Sequence, residues 1–215
     1  MSDSPEISTQ KQTLRSAAIA RRNAIPAAER IERRQVICAE LLTLVEERFA
    51  HLAQSSERSD STRLCAAYSA LGSEVVLNEF ISAAYERGWD VAFPVMVKDK
   101  TRDTMIFVKV DAQAWHSNSV SFLIRPACSL DSSDSLLESF ARIEASSIDV
   151  AVIPMTACDP DNNRMGYGGG NYDRFLPLLR DDCLVAGVAF NEQEVPLGSL
   201  PLGSHDLALP HIIRG

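Results

Sequence analysis

The sequence lacks several patterns that would place it in a familiar class of protein. Its five cysteines form no C-x-x-C pair, and its four histidines stand singly, so no spacing typical of a zinc site is present. No apolar run approaches the roughly 18 residues of a membrane-spanning helix. The polar start MSDSPEISTQ differs from a signal peptide. We therefore predict a cytoplasmic protein with reduced thiols that does not enter a membrane.

An excess of positive charge is also missing. The 215 residues carry a net charge of −8, which argues against a nucleic-acid partner because such proteins usually present a basic face. A local basic cluster can still hold a small anion on an acidic protein. Hydrophobic residues make up 46% of the chain, which is enough for a substantial core. We expect the protein to be a monomer.

Helical and strand patterns alternate along the chain. A helix is predicted over residues 9–23, and a second follows Pro26, with an apolar stripe at Ile37, Leu41, Leu44 and Val45. A polar linker occupies residues 54–62. Strands are predicted over 64–71, 89–95, 105–110, 119–124, 148–155, 183–190 and 207–213, and further helices over 74–87, 135–145 and 172–179.

This alternation predicts an α/β fold, a three-layer α/β/α sandwich with a mostly parallel central sheet. The run 148–155 is largely apolar and rich in Val and Ile, the pattern of a strand buried on both faces, and the run 183–190 is of the same type. The length favours one generous domain. We expect residues 1–8 to form a flexible N-terminal tail and residues 9–215 to form a single domain.

The segment over residues 159–176, DPDNNRMGYGGGNYDRFL, carries the clearest chemical signal. Its glycines follow a predicted buried strand, and ligands of open α/β sheets bind where strands end. Glycine allows positive φ, so backbone N–H groups can turn inward and hold an anion. Asn171-Tyr172 stands where a P-loop needs Lys-Ser or Lys-Thr, and Asn171 also replaces the third glycine of a dinucleotide fingerprint. A structural connector of the same composition is an equally plausible interpretation of these glycines alone.

The run RMGYGGGNYDRFL, from Arg164 to Leu176, closely resembles the R-L-G-x-G-x-G-Y-Y-D signature of the 5-formyltetrahydrofolate cyclo-ligase family. Other segments match that family in order and spacing over about residues 11–210. They are Lys11-x-x-Leu14-Arg15, Tyr68 with Glu74-Val75, Phe93-Pro94, the run VAFNEQ over 188–193, Pro196 and His205-Asp206.

The resemblance implies an enzyme that uses ATP and Mg²⁺ to convert 5-formyltetrahydrofolate into 5,10-methenyltetrahydrofolate. It implies that Lys11, Arg15 and Arg164 are catalytic, that Ser69, Glu74 and Tyr172 bind the folate, and that Asp173 and Asp206 bind the metal. The ATP site would comprise Lys11, Gln12, Thr13, Leu14, Arg15, Arg164, Met165, Gly166, Tyr167, Gly168, Gly169, Gly170, Asn171 and Tyr172.

Taken without the family, several of these residues have ordinary interpretations. The i, i+4 spacing of Lys11 and Arg15 places both on one helix face, which can equally be a solvated face. Glu74 and Asp173 are also typical of carboxylates at helix starts. Asp206 alone is typical of a loop or cap residue.

The sequence departs from the family pattern at a few positions. Asn171 replaces an aromatic residue, Met165 replaces Leu, Arg125-Pro126 replaces Glu-Pro, and the chain ends IIRG without an acidic residue. These departures keep a second hypothesis open, a non-catalytic module that binds nucleotide or folate. A third hypothesis is an unrelated enzyme, such as an isomerase or acyl transferase, which would show no ATP dependence.

Overall fold

The computed structural model describes residues 5–54, 63–98, 103–203 and 206–215, so most of the predicted linker 54–62 lies outside the described residues. The helices are α1 (Pro5–Ala24), α2 (Ala27–Gln54), α3 (Asn78–Glu86), α4 (Ala112–His116), α5 (Ser121–Ile124), α6 (Ser135–Glu138) and α7 (Asn171–Phe175). The strands are β1 (Leu64–Ala66), β2 (Asp90–Lys98), β3 (Thr104–Val110), β4 (Leu130–Asp131), β5 (Arg142–Ile143), β6 (Val150–Ile153), β7 (Ala157–Cys158), β8 (Arg164–Met165), β9 (Leu184–Ala189) and β10 (His211–Arg214).

The main sheet has the strand order β10-β9-β6-β1-β2-β3-β5, and β4 also pairs with β2. The strands from β10 to β2 run parallel, whereas β3 and β5 are antiparallel to their neighbours. The prediction of an α/β fold with a mostly parallel central sheet flanked by helices is therefore confirmed. Strands β7 and β8 form a separate antiparallel pair.

Both faces of the main sheet are buried. Along β6, Val150 and Val152 pack into the cluster that contains the α2 stripe, whereas Ala151 and Ile153 pack into the cluster that contains Phe175 of α7. Parallel strands covered on both sides become continuous apolar runs in the sequence, which is why the run over 148–155 was recognisable.

The apolar stripe of α2 faces the sheet as predicted. Ile37, Leu41 and Val45 are fully buried, and Leu44 packs partly buried against the same cluster. Burial of each large aliphatic side chain contributes about 1.5–3 kcal/mol. This contact holds the long helix across one face of the sheet.

Helix α1 packs elsewhere, against the β7–β8 pair. Ala18 of α1, Ala157 of β7 and Met165 of β8 share a small apolar cluster, with Leu14 packed against it. This packing places the first helix beside the Gly-rich loop that follows β8.

Several predicted elements need correction. The run 119–124 is not a strand but ends in the short helix α5, and the predicted helix over 135–145 ends at Glu138 and gives way to β5. Strand β1 stops at Ala66. Helix α1 begins at Pro5, so residues 5–8 are helical rather than part of a tail.

The predicted helix over 74–87 begins only at Asn78. The Leu71 N–H donates to Glu74 Oε2 at 2.7 Å, and the Glu74 N–H donates to the Leu71 carbonyl at 3.2 Å. Because these bonds hold Glu74 in a turn, the helix cannot start there.

The remaining predicted strands are present as β2, β3, β6, β9 and β10, the last restricted to His211–Arg214. The predicted helix over 172–179 appears as α7 followed by a short 3-10 turn over Leu176–Leu178. Among the described residues, no helix is both long and apolar enough to cross a bilayer.

Candidate active site

A cavity of about 870 Å³ opens where β1 and β6 end. Most residues predicted for the site line it, namely Lys11, Arg15, Ser69, Glu74, Arg164, Met165, Gly166, Tyr167, Gly168, Gly169, Gly170, Asn171, Tyr172, Asp173 and Asp206. Gln12, Thr13 and Leu14 are not among its lining residues. Gln12 and Thr13 are exposed, and Leu14 faces the apolar cluster under α1.

The Gly-rich loop forms one wall of this cavity. Gly168 has a φ of +99° and Gly170 a φ of +62°, the left-handed conformations that favour glycine. Arg15 donates through Nε to the Gly166 carbonyl at 2.8 Å. A Cβ on Gly168 would lie 3.2 Å from the Arg15 guanidinium carbon, so the loop backbone and Arg15 approach each other closely.

Two of the four cationic residues of α1, Lys11 and Arg15, line the cavity from one helix face. Lys11 Nζ lies 2.9 Å from Asp206 Oδ2, a contact across 195 positions of sequence. The Gly203 N–H donates to the same oxygen at 2.7 Å. Burial alone would raise the pKa of Asp206, but this N–H, Lys11 and the charge of Arg164 outweigh it and lower the pKa. Asp206 is therefore an ionised carboxylate at neutral pH.

Arg164 lies beneath the Gly-rich loop with its side chain only 3% exposed. It donates through Nη2 to Asp173 Oδ1 at 2.6 Å. Its buried Nε has no hydrogen-bond partner in the part of the chain that the structure describes. An unsatisfied guanidinium nitrogen in a cavity wall suits an anionic ligand such as a phosphate.

No group of three or more His, Cys, Asp or Glu side chains within the described residues is arranged to hold a metal ion. Asp173 and Asp206 nevertheless line the same cavity. Mg²⁺ is commonly held by one or two carboxylates together with substrate phosphates and water. The two predicted ligands therefore fit a metal ion that arrives with a nucleotide, rather than a metal held by the protein alone.

Glu74 also lines the cavity and is only 5% exposed. Its Oε2 holds the turn described above, whereas the buried Oε1 has no hydrogen-bond partner among the described residues. Burial raises the pKa of Glu74, although the Leu71 N–H, the positive charge of Arg22 and the Tyr167 hydroxyl oppose the rise. An unpaired carboxylate oxygen there can accept N–H groups from a polar ring.

The structure adds wall residues that the sequence did not indicate. Met96 of β2 and Met105 of β3 line the cavity together with Pro126 and the segment over 200–203. Asn171 donates to Met96 Sδ at 3.4 Å and accepts from Arg174 Nη2 at 2.7 Å. The departure at position 171 thus places an amide, not an aromatic ring, against this wall.

Arg22 was also missed, although a signal for it was present. It lies seven residues after Arg15, two helical turns along the same face of α1, and its side chain is only 2% exposed. A third cation on the face that already carried Lys11 and Arg15 could have been included in the predicted site.

The chain has an α/β fold with a cavity and a Gly-rich loop at the ends of its parallel strands. The family model of the 5-formyltetrahydrofolate cyclo-ligase family matches residues 7–215. This chain belongs to the 5-formyltetrahydrofolate cyclo-ligase family. The predictions of that family and of a cyclo-ligase enzyme in folate metabolism are therefore confirmed.

Two solved structures resemble the chain in fold. A 5,10-methenyltetrahydrofolate synthetase from Mycoplasma pneumoniae is 20% identical with a TM-score of 0.66, over 94% of this chain and 97% of that chain. A 5,10-methenyltetrahydrofolate synthetase from Aquifex aeolicus is 20% identical with a TM-score of 0.56, over 95% of this chain and 89% of that chain. No curated protein matches the sequence.

Proposed function

We propose that this chain converts 5-formyltetrahydrofolate into 5,10-methenyltetrahydrofolate, using ATP as its Mg²⁺ complex and releasing ADP and phosphate. The observation that carries the proposal is that one cavity holds both the Gly-rich loop with its cations and the buried Glu74. A nucleotide and a folate can then meet within a single site, in a chain that matches the family over residues 7–215.

The proposed chemistry solves a leaving-group problem. The formamide oxygen of the substrate is a poor leaving group. It therefore attacks the γ-phosphorus of ATP, the bond from that phosphorus to ADP breaks, and the oxygen becomes part of a phosphate ester. The folate N10 then attacks the activated carbon, the C–O bond breaks, and phosphate departs with the electron pair. N10 loses its proton as the ring closes. The protein's contribution is chiefly positioning and charge stabilisation, as in other phosphoryl transfers.

The nucleotide half of the site consists of the Gly-rich loop, Lys11, Arg15 and Arg164. The loop presents its backbone without side chains, so phosphate oxygens can approach closely. Arg164 lines this space with its guanidinium group, and Lys11 and Arg15 reach it from α1. Cations so placed would stabilise charge on the transferred phosphoryl group. Arg15 would also lie near the formyl oxygen.

Asp173 and Asp206 would hold Mg²⁺. The ion, when bound, neutralises charge on the β- and γ-phosphates. Each carboxylate contacts one of the phosphate-binding cations, Arg164 for Asp173 and Lys11 for Asp206. These ion pairs keep all four side chains oriented toward the cavity.

The folate half of the site consists of Glu74, Ser69 and Tyr172, with apolar walls from Met96 and Met105. Glu74, when ionised, would accept N–H groups of the pterin in a charge-assisted hydrogen bond. Tyr172 offers a flat face for the ring system.

The experiment that tests this proposal follows the near-ultraviolet absorbance of methenyl-folate after ATP is added to protein, 5-formyltetrahydrofolate and Mg²⁺. We expect the band to grow only with both ATP and Mg²⁺. Asp173→Asn should lower kcat by about a hundredfold or more, the size of effect seen when a group that stabilises transition-state charge is removed. The exposed Asp161, outside the cavity, provides the matched control Asp161→Asn, which should leave turnover unchanged.

The contrary outcomes point to the other two hypotheses. A flat absorbance trace from folded protein that binds either ligand would contradict the proposal and favour a non-catalytic binding module. Consumption of the folate without ATP would instead favour a different class of enzyme.

A further inference from the structure

Arg22 is a buried cation that makes three hydrogen bonds to neutral oxygens. Nε donates to Ser73 Oγ at 2.9 Å, Nη1 to the Met155 carbonyl at 3.2 Å, and Nη2 to the Tyr167 hydroxyl at 2.8 Å. The residue is only 2% exposed. Burying a guanidinium against neutral partners is costly, so its retention calls for a compensating charge or a function.

The partners of Arg22 belong to both halves of the cavity. Tyr167 is part of the Gly-rich loop, and Ser73 directly precedes Glu74, which also lines the cavity. The Ser73 hydroxyl donates to Asn23 Oδ1, which leaves its lone pairs available to Arg22. The Met155 carbonyl also accepts from Gln193 Nε2 at 2.7 Å, so the third contact anchors the guanidinium to a fixed point of the core.

Glu74 supplies a negative charge that interacts with Arg22. The groups that face this carboxylate are Arg22 from α1, Tyr68 from the segment after β1, Tyr167 from the Gly-rich loop and Tyr172 from α7. The three tyrosines are neutral phenols, so the positive charge among these four groups comes from Arg22.

We propose that Arg22 is a positioning residue that couples the two ligand subsites: it holds the Gly-rich loop through Tyr167 and supplies the positive charge opposite Glu74. It reaches these positions without lining the cavity itself, and so acts through Tyr167 and Glu74 rather than on the ligands. The identity of the two ligands rests on the proposed function, whereas the link between loop and carboxylate rests on the contacts alone.

The loop half of this proposal is tested without any ligand, by amide hydrogen exchange over residues 164–172. Loss of one hydrogen bond to a charged group predicts exchange about tenfold faster in Arg22→Gln and in Tyr167→Phe. Arg21 provides the matched control, because it is the preceding residue of α1, exposed, and donates to the Glu192 carbonyl at 2.8 Å away from the cavity. Arg21→Gln should exchange like the wild type in this segment.

The charge half is tested by calorimetric titration with 5-formyltetrahydrofolate between about pH 5 and pH 8, the range in which a raised carboxyl pKa is visible. Removing the cation raises the pKa of Glu74 further, so in Arg22→Gln the loss of affinity on acidification should begin at a higher pH. Arg22→Lys keeps the charge and should restore the wild-type pH profile. It should still show fast loop exchange, because an ammonium cannot span three acceptors as a guanidinium does.

The proposal is overturned if a folded Arg22→Gln protein matches Arg21→Gln in both loop exchange and pH profile. A purely structural role would lower the melting temperature while leaving both readouts of the folded protein unchanged, which also contradicts it. If the wild type does not bind the folate, the proposed function fails, and the exchange experiment decides the role of Arg22 by itself.

Discussion

Two buried polar atoms in the cavity wall lack partners among the described residues, Nε of Arg164 and Oε1 of Glu74. An unsatisfied buried polar atom costs about 1–3 kcal/mol. One is a donor on a cation beside the Gly-rich loop, and the other is an acceptor on a carboxyl group. Their opposite chemistry matches an anionic ligand beside Arg164 and an N–H donor beside Glu74.

Glu74→Gln should therefore stabilise the protein and weaken folate binding. A carboxyl whose pKa is raised on folding destabilises the folded state at every pH above its ordinary pKa of 4.5, since the unfolded chain ionises more readily. The wild type's unfolding free energy thus falls as pH rises from 4.5 through the raised pKa. The variant should lack this fall, and denaturant unfolding across that pH range measures the difference.

The same substitution should raise the KM for 5-formyltetrahydrofolate by about ten- to a hundredfold, the effect of losing a hydrogen bond to a charged group. Glu86→Gln on the exposed surface of α3 removes an equal charge and should change neither stability nor KM appreciably. A Glu74→Gln protein with unchanged KM would exclude Glu74 from substrate binding.

At the scale of elements, the β7–β8 pair and helix α1 together present the Gly-rich loop. The Thr156 hydroxyl donates to the Met165 carbonyl at 2.8 Å, and Arg15 holds the next carbonyl in the chain. The start of the loop is thus fixed by bonds to these two carbonyls.

Gly168→Ala should impair nucleotide use more than stability. Alanine at a φ of +99° strains the backbone by about 1–2 kcal/mol, and its Cβ would also press on the Arg15 guanidinium. We expect the KM for ATP to rise about tenfold or more, because small displacements of positioning groups are costly in catalysis. Steady-state kinetics at saturating folate measures this effect.

Gly198 supplies the matched control for this prediction. Its φ is +75°, but a Cβ there meets nothing within 4 Å. Gly198→Ala should therefore show the backbone strain as lower stability with an unchanged KM for ATP. Equal kinetic effects from both substitutions would show that strain, rather than the contact with Arg15, is responsible.

At the scale of the whole molecule, the long helix α2 and the two-sided sheet hold the cavity walls in place. Leu41 of α2 is fully buried, so Leu41→Ala should lower the unfolding free energy by about 2–5 kcal/mol. Leu178 is 64% exposed, and Leu178→Ala should change the unfolding free energy by less than about 0.5 kcal/mol. Denaturant titration of both variants checks the comparison, and a Leu41→Ala effect as small as that of Leu178→Ala would contradict the packing of α2 on the sheet.

The sequence by itself determined the parts of this protein whose signal is local. The run over 148–155 is apolar at nearly every position because both faces of β6 are covered, and glycines mark the loop because positive φ excludes most side chains. The i, i+4 spacing of Lys11 and Arg15 likewise depends only on helix geometry. These features could be predicted without knowing what lies beside them.

Only the tertiary structure decided the contacts between distant segments. The run 119–124 has strand-like composition, yet it forms α5 with Phe122 packed into the core. Lys11 meets Asp206 across 195 positions, and Arg22 becomes a buried link between Ser73 and Tyr167. No local pattern encodes such contacts, because they depend on which surfaces α1, the sheet and the Gly-rich loop bring together when the chain packs.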